Sequence, residues 1–250
     1  MRPSTSGLSL LATAFVLAGM PAERALGQIP EKFENLQYFP KDIARDSLVN
    51  AMRGFSFALG VRCQYCHAGG DGISFEGVNF ASDDKAAKRN ARFMLRMVDS
   101  LNAHAFDALP QRRTPAVQLQ CVTCHRGSSA PTTLARTLAA TLESKGVDSA
   151  VAQYRTLRRT VELGKFDFGE WSMNEFARSL REQGKIAEAI AMLELNGEFY
   201  KTPSVDGGLA ELYLLRADTA KALERYRMML EKQPNNPVAR RRIDELTRKP

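Results

Sequence analysis

Apolar positions fall into three kinds of pattern along the 250 residues. Near the start, Met1-Arg2 is followed by a largely apolar run, residues 8–19, and then by the small residues Ala25-Leu26-Gly27. A positive residue, an apolar run and a small-residue site in that order predict an export signal over residues 1–27, with the mature chain beginning near Gln28. The run is too short to span a bilayer as a helix, and no later stretch reaches that length. No cysteine follows it to carry a lipid, so a soluble exported protein is expected.

Helical spacing comes next. From Asp46 to Gly60 the residues Leu48, Met52, Phe55 and Leu59 share one face, which predicts an amphipathic helix with a capping residue in front and glycine behind. A glycine-rich loop over residues 68–80 follows. Ser82-Asp-Asp-Lys then reads as the cap of a second helix to about Ala103, with Ala87, Ala91, Met94, Val98 and Leu101 at helical spacing. Beyond it lies an irregular stretch around Pro110 and Pro115. From about Leu134 helix formers dominate and a repeat emerges. Gly184-Lys-Ile-Ala187-Glu-Ala189-Ile190 aligns with Ala217-Asp-Thr-Ala220-Lys-Ala222-Leu223 at an offset of 33 residues, and Gly146-Val-Asp-Ser149-Ala150 is a weaker copy displaced by 38. Small residues at these places let paired helices approach, and Pro203 and Pro234 fall near unit ends where a helix must stop. A last helix from Pro237 to Leu246 is expected to cap the array, with Arg240-Arg-Arg242 on its solvated face.

Composition narrows the class. A hydrophobic content of 44% supports a buried core in one large domain or two modest ones. The formal charge of +7 is spread evenly: 13 Lys and Arg face 10 Asp and Glu between residues 28 and 127, and 20 face 17 from residue 128 onward. Neither half is a basic nucleic-acid tail.

All four cysteines lie in two copies of one pattern, Cys63-Gln-Tyr-Cys66-His67 and Cys121-Val-Thr-Cys124-His125, and the chain has three histidines in all. This is the attachment sequence of c-type haem. Two thiols on one turn add across the two haem vinyl groups, and the adjacent imidazole becomes an axial ligand of the iron. A four-cysteine zinc site is usually built from pairs closer in sequence, and disulfides or thioredoxin-like dithiols leave both histidines unexplained. Two covalent haems c are therefore expected; their four propionates, about −4, would nearly cancel the surplus positive charge.

Further stretches carry a resemblance. Asn35-Leu36-Gln37 with Pro40-Lys-Asp42, Met52-Arg-Gly-Phe55, Phe80-Ala-Ser-Asp-Asp84, Ala91-Arg-Phe-Met94 and Cys121-Val-Thr-Cys-His-Arg-Gly127 make residues 33–127 similar to the photosynthetic reaction-centre cytochrome c subunit family. That resemblance covers about two fifths of the chain, and its repeating unit is a methionine-bearing helix, a turn and the haem motif. It implies Met52 as the sixth ligand of the haem held by His67, and Met94 as that of the haem held by His125. On spacing alone a methionine on an apolar face is ordinary core packing, with Met97 a neighbouring alternative and His104 the only spare imidazole. The family's subunits carry four haems and this chain has two attachment motifs, so a link to photosynthesis is not implied. The second half resembles the tetratricopeptide family.

The fold expected is thus all-α: a di-haem c-type cytochrome domain with irregular loops over residues 28–130, then a short tetratricopeptide-like α-solenoid over residues 131–250. The function expected is one-electron transfer in the periplasm or another exported location between redox protein partners, with a membrane-bound complex among the candidates. The repeats would dock a protein, and no nucleic acid is expected. A di-haem peroxidase is the enzymatic rival, but it requires an open sixth position and acid/base groups beside an iron, and His67 and His125 are already assigned. A sensor or docking protein with structural haems is a third class.

Overall fold

The structure, a computed structural model, describes residues 29–106, 108, 114–160 and 164–248. The expected export signal over residues 1–27 and the stretch around Pro110 lie outside the described residues. The architecture is all-α, as expected, with one antiparallel ribbon of two short strands.

Helix α1 (Arg45–Leu59) places Leu48, Met52, Phe55 and Leu59 along one wall. Asp46 lies in its first turn and is not the cap, whereas Gly60 ends the helix as expected, in the left-handed conformation at φ 65°. Helix α2 (Cys63–Cys66) is a single turn carrying the first cysteine pair. The glycine-rich loop folds back on itself through β1 (Ala68–Gly69) and β2 (Val78–Asn79), with Ala68 opposite Asn79.

Helix α3 (Ala86–Ser100) begins three residues later than Ser82 suggested, with Lys85 at the cap position. Ser82 Oγ instead accepts the Asp84 amide at 3.0 Å, and Lys88 Nζ donates to the carbonyls of Phe80 at 2.7 Å, Ala81 at 3.1 Å and Ser82 at 2.8 Å. Those carbonyls are held in an extended clamp, so residues 82–85 cannot enter the helix. A wider π-type turn, Leu101–Ala105, continues α3. Helix α4 (Cys121–His125) then carries the second cysteine pair, opened by a reciprocal cap between Gln120 and Thr123.

The second half is built of antiparallel helical hairpins. Helices α5 (Leu134–Lys145) and α6 (Val147–Thr160) form the first, α7 (Glu170–Glu182) and α8 (Ile186–Phe199) the second, α9 (Pro203–Leu215) and α10 (Thr219–Lys232) the third, and α11 (Pro237–Thr247) closes on α10. The third hairpin repeats the bounds of the second displaced by 33 residues, the offset found in the sequence. Leu138, Ala150, Tyr154, Met173, Met192 and Leu209 are buried between these helices. Pro203 occupies the first turn of α9, where its missing amide proton costs nothing, so it starts a helix as well as following one.

Polar groups lock the array. Asp206, almost fully buried on α9, faces Arg225 at 3.6 Å and also pairs with Lys232 of α10. Burial, with the Glu194 carboxylate accepting its proton, holds the Tyr213 phenol up at about 12. Arg242 departs from the expected solvated face: it reaches across to Glu211 at 3.3 Å while also pairing with Glu245.

One loop joins the halves. Arg158 donates to the Phe168 carbonyl at 3.0 Å and places its guanidinium 4.2 Å from the centre of the Phe199 ring. Tyr200 Oη donates to the same carbonyl at 2.8 Å. The loop so pinned carries Lys165, whose ammonium reaches the Gly127 carbonyl at 3.4 Å, just beyond the second cysteine motif.

The hairpin register makes a stability prediction. Gly184 and Ala217 are equivalent under the offset and both adopt positive φ, 76° and 57°. Alanine pays for that conformation and glycine does not, so Ala217→Gly is expected to raise stability by about 0.5–1 kcal/mol despite glycine's larger chain entropy. Chemical denaturation of the two proteins checks it, and a less stable variant would contradict the equivalence.

Candidate haem cavity

Both motifs open on one space. The backbone amide of Gly127 donates to the Ala58 carbonyl at 2.8 Å, so the turn after the second motif is stitched to the end of α1. The approach is close enough that a Cβ on residue 60 would lie 2.3 Å from the Gly127 carbonyl oxygen. Gly60 is therefore required by contact as well as by its positive φ.

The space between is a cavity of about 780 Å³, whose walls include His67, His125, Met52 and Met94. Cys63, Cys66 and Cys121 also line it, while Cys124 is exposed and does not. The structure thus brings Cys63, Cys66, His67, Cys121, His125, Met52 and Met94 to one cavity and leaves Cys124 out of its lining. Met97 and His104 are not among the lining residues, and both are exposed.

Around the first motif, Lys85 Nζ donates to the Gln64 carbonyl, and Gln64 Nε2 donates to the Ser74 carbonyl at 2.8 Å. The His67 ring packs 4.9 Å from the ring of Phe80. Burial first, and then the charge of Lys88, push the His67 imidazole down to about 4, against the pull of the Phe80 carbonyl. It is therefore neutral at physiological pH, the form in which a ring nitrogen can bind a metal. Its Nδ1 is buried without a hydrogen-bond partner. Burial also raises the thiols of Cys66 and Cys121.

The second motif is held differently. His125 Nδ1 lies 2.8 Å from the Ser128 carbonyl, which fixes a proton on Nδ1 and leaves the Nε2 lone pair free. Sequence reasoning missed Asn102, whose side chain both donates to the Leu119 carbonyl at 2.9 Å and accepts the Leu119 amide at 2.8 Å. That pairing ties the far end of the Met94 helix to the segment entering Cys121. An asparagine at that point carries no motif of its own, so nothing in the sequence marked it.

A clamp braces the cavity wall. Arg92, nearly buried, donates to Asp83 at 2.8 Å and to the Asn35 carbonyl at 3.0 Å. Gln37 donates to Asp83 at 3.1 Å, and Asn35 Nδ2 donates to the Ala81 carbonyl at 2.6 Å. On the other side, Tyr38 donates to Asp99 at 2.7 Å, a bond that holds its phenol up at about 12.

The residues fit haem c. Before Leu134 the buried apolar side chains, among the described residues, are Leu48 and Ala58, whereas Met52, Phe55 and Leu59 of α1 and Ala91, Met94 and Leu95 of α3 line the cavity. Such a half needs a large apolar guest to complete its core. No group of three or more His, Cys, Asp or Glu side chains among the described residues converges as a zinc site would require. The site fits that of a c-type cytochrome, with imidazoles, thiols and thioethers lining one space.

Comparison with known proteins agrees. Residues 62–168 match the family described as photosynthetic reaction centre cytochrome C subunit. Cytochrome c-554 of Chloroflexus aurantiacus is 46% identical over 73 residues, which are 29% of this chain and 15% of that protein. The chain thus covers a small part of that relative's length. The family match starts later than the resemblance read from the motifs, leaving Met52 outside, and runs on through α5 and α6.

The clamp predicts an acid response. The Arg92 guanidinium, followed by Asn35, holds the Asp83 carboxyl well below the usual carboxylate range. A carboxyl depressed in the folded state adds stability above its ordinary value of 3.8, and that stability is lost as the pH falls further toward the depressed value. Asp83→Asn is expected to melt lower at neutral pH and to lose less on acidification down to about pH 2. Melting followed by circular dichroism checks this; parallel curves for the two proteins would count against it.

Proposed function

We propose that the chain is an exported di-haem cytochrome that carries single electrons between redox proteins. The observation that carries this reading is the single cavity on which His67, His125, Met52 and Met94 all open. In this reading Cys63 and Cys66 hold one haem and Cys121 and Cys124 the other, each through addition of an S–H across a vinyl group. His67 and His125 are the proximal ligands, and Met52 and Met94 the sixth ligands. The bound haems supply the one-electron chemistry.

Several features of the chain support it. Met94 lines the cavity and Met97 does not, which favours the former as ligand. The second-motif imidazole is oriented by the Ser128 carbonyl as a metal-bound histidine requires. His104 lies on an exposed turn off the cavity, so it is not available as an acid or base beside an iron, and this favours a carrier over a peroxidase. Two sites on one cavity also favour direct exchange between haems.

The helical hairpins are read as a tetratricopeptide-like docking unit over residues 131–250, beside a cytochrome domain over residues 28–130. Trp171, 70% exposed on α7, is the largest apolar side chain such a partner would meet. No helix among the described residues is long and apolar enough to cross a membrane. The periplasm or another exported compartment is the proposed location, since haem attachment of this kind accompanies export and residues 1–27 read as a signal.

Expression in a host with cytochrome c maturation, followed by intact-mass measurement, is expected to give the chain from near Gln28 plus two haem masses. A mass with none would overturn the reading. Carbon monoxide is expected to bind the reduced protein poorly. Met52→Ala and Met94→Ala are each expected to open one haem to it, and ready binding by the unaltered protein would instead favour an enzyme or sensor.

A further inference from the structure

We infer that the two haem sites differ in reduction potential, the His67 site being the higher, and that the cations on α3, led by Lys88, set the difference. This rests on the di-haem reading above.

The charge is unevenly placed. Lys88 and Arg92 both line the cavity, with side chains only 11% and 10% exposed. Lys88 Nζ sits 2.7 Å from the carbonyl of Phe80, the residue whose ring packs on His67. Lys85 donates to the Gln64 carbonyl, inside the turn that carries Cys63 and Cys66. The carboxylate paired with them is Asp83, 3.3 Å from Lys88 and 2.8 Å from Arg92, so one anion faces two cations and Lys85 adds a third positive charge. A ferric site carries one more positive charge than a ferrous site, and a poorly solvated cation nearby disfavours it. The α3 cations therefore favour reduction at the His67 site.

At the second site the chain does the opposite. His125 donates its Nδ1 proton to the Ser128 carbonyl, which makes the imidazole a more electron-releasing ligand and favours the ferric state. His67 Nδ1 has no such acceptor. Of the cations beside the second motif, Arg126 is exposed and Lys165 is half-buried, and neither lines the cavity. Water screens them more than it screens Lys88 and Arg92. Both effects act in one direction, so an electron arriving at the His125 site passes to the His67 site and rests there.

The test is a spectroelectrochemical titration of the holoprotein and three variants. The unaltered protein is expected to show two separate one-electron couples. Lys88→Met is expected to lower the upper couple and leave the lower one in place, changing the oxidised-to-reduced ratio of that haem up to tenfold at fixed poise, which is 59 mV for one electron. Lys88→Arg, which keeps the charge, restores it. Lys85→Met removes a charge without touching the carbonyl clamp and is expected to lower the same couple by less, so the outcome stands even where Lys88→Met folds poorly. Coincident couples in the unaltered protein, a fall confined to the lower couple, or equal falls in both would overturn the inference. Intact mass separates the two readings: an unaltered protein lacking two haems sinks the carrier, whereas two haems with unmoved couples sink this inference alone.

Discussion

The contact between the end of α1 and the turn after the second motif governs the rest of the first half. Gly127 donates its amide to Ala58, and Gly60 leaves no side chain in the way. Because of this contact, two attachment motifs far apart in sequence face the same space. Without it, the wall bearing Met52 would not meet the helix bearing His125, and each motif would stand on its own exposed turn. The remaining ties, Asn102 to Leu119 and Lys88 to its three carbonyls, only hold in place what that approach makes possible.

The two halves solve the problem of a core in different ways. From Leu134 onward, leucines, alanines and tyrosines from successive hairpins fill the interior, with Asp206 and Asn196 buried only where partners reach them. Ahead of Leu134, apolar side chains surround a cavity rather than one another, and the polar clamp of Asn35, Asp83, Lys88 and Arg92 holds the wall from outside. The loop pinned by Arg158 is where the two constructions touch, through Lys165 and the Gly127 carbonyl.

Much of this was legible in the residues. Both cysteine motifs, the amphipathic face of α1 and the offset between hairpins follow from spacing, because each is a local or periodic signal. The start of α3 lies later than its sequence predicts because Ser82 looks like a cap, and only the fold brings Lys88 back onto the preceding carbonyls to forbid it. Arg242 was read as solvated for a similar reason: its partner Glu211 is a full hairpin away in sequence. Asn102, the Gly60–Gly127 approach and the near-burial of Arg92 depend on long-range packing, which no single stretch of sequence displays. Met94 over Met97 was settled as a cavity neighbour by helix rotation, a matter of less than one turn that a sequence pattern leaves open.

The seam that closes the cavity joins residue 58 to residue 127, so nearly the whole first half must be made before its wall can form. Contacts so distant along the chain come late in folding, because the entropy of closing the intervening loop has to be met first. On the di-haem reading, Cys63 and Cys66 would therefore stand on an open, accessible turn before that wall closes. Attachment before enclosure would then give a bulky planar group a way into a space that the finished protein would have shut.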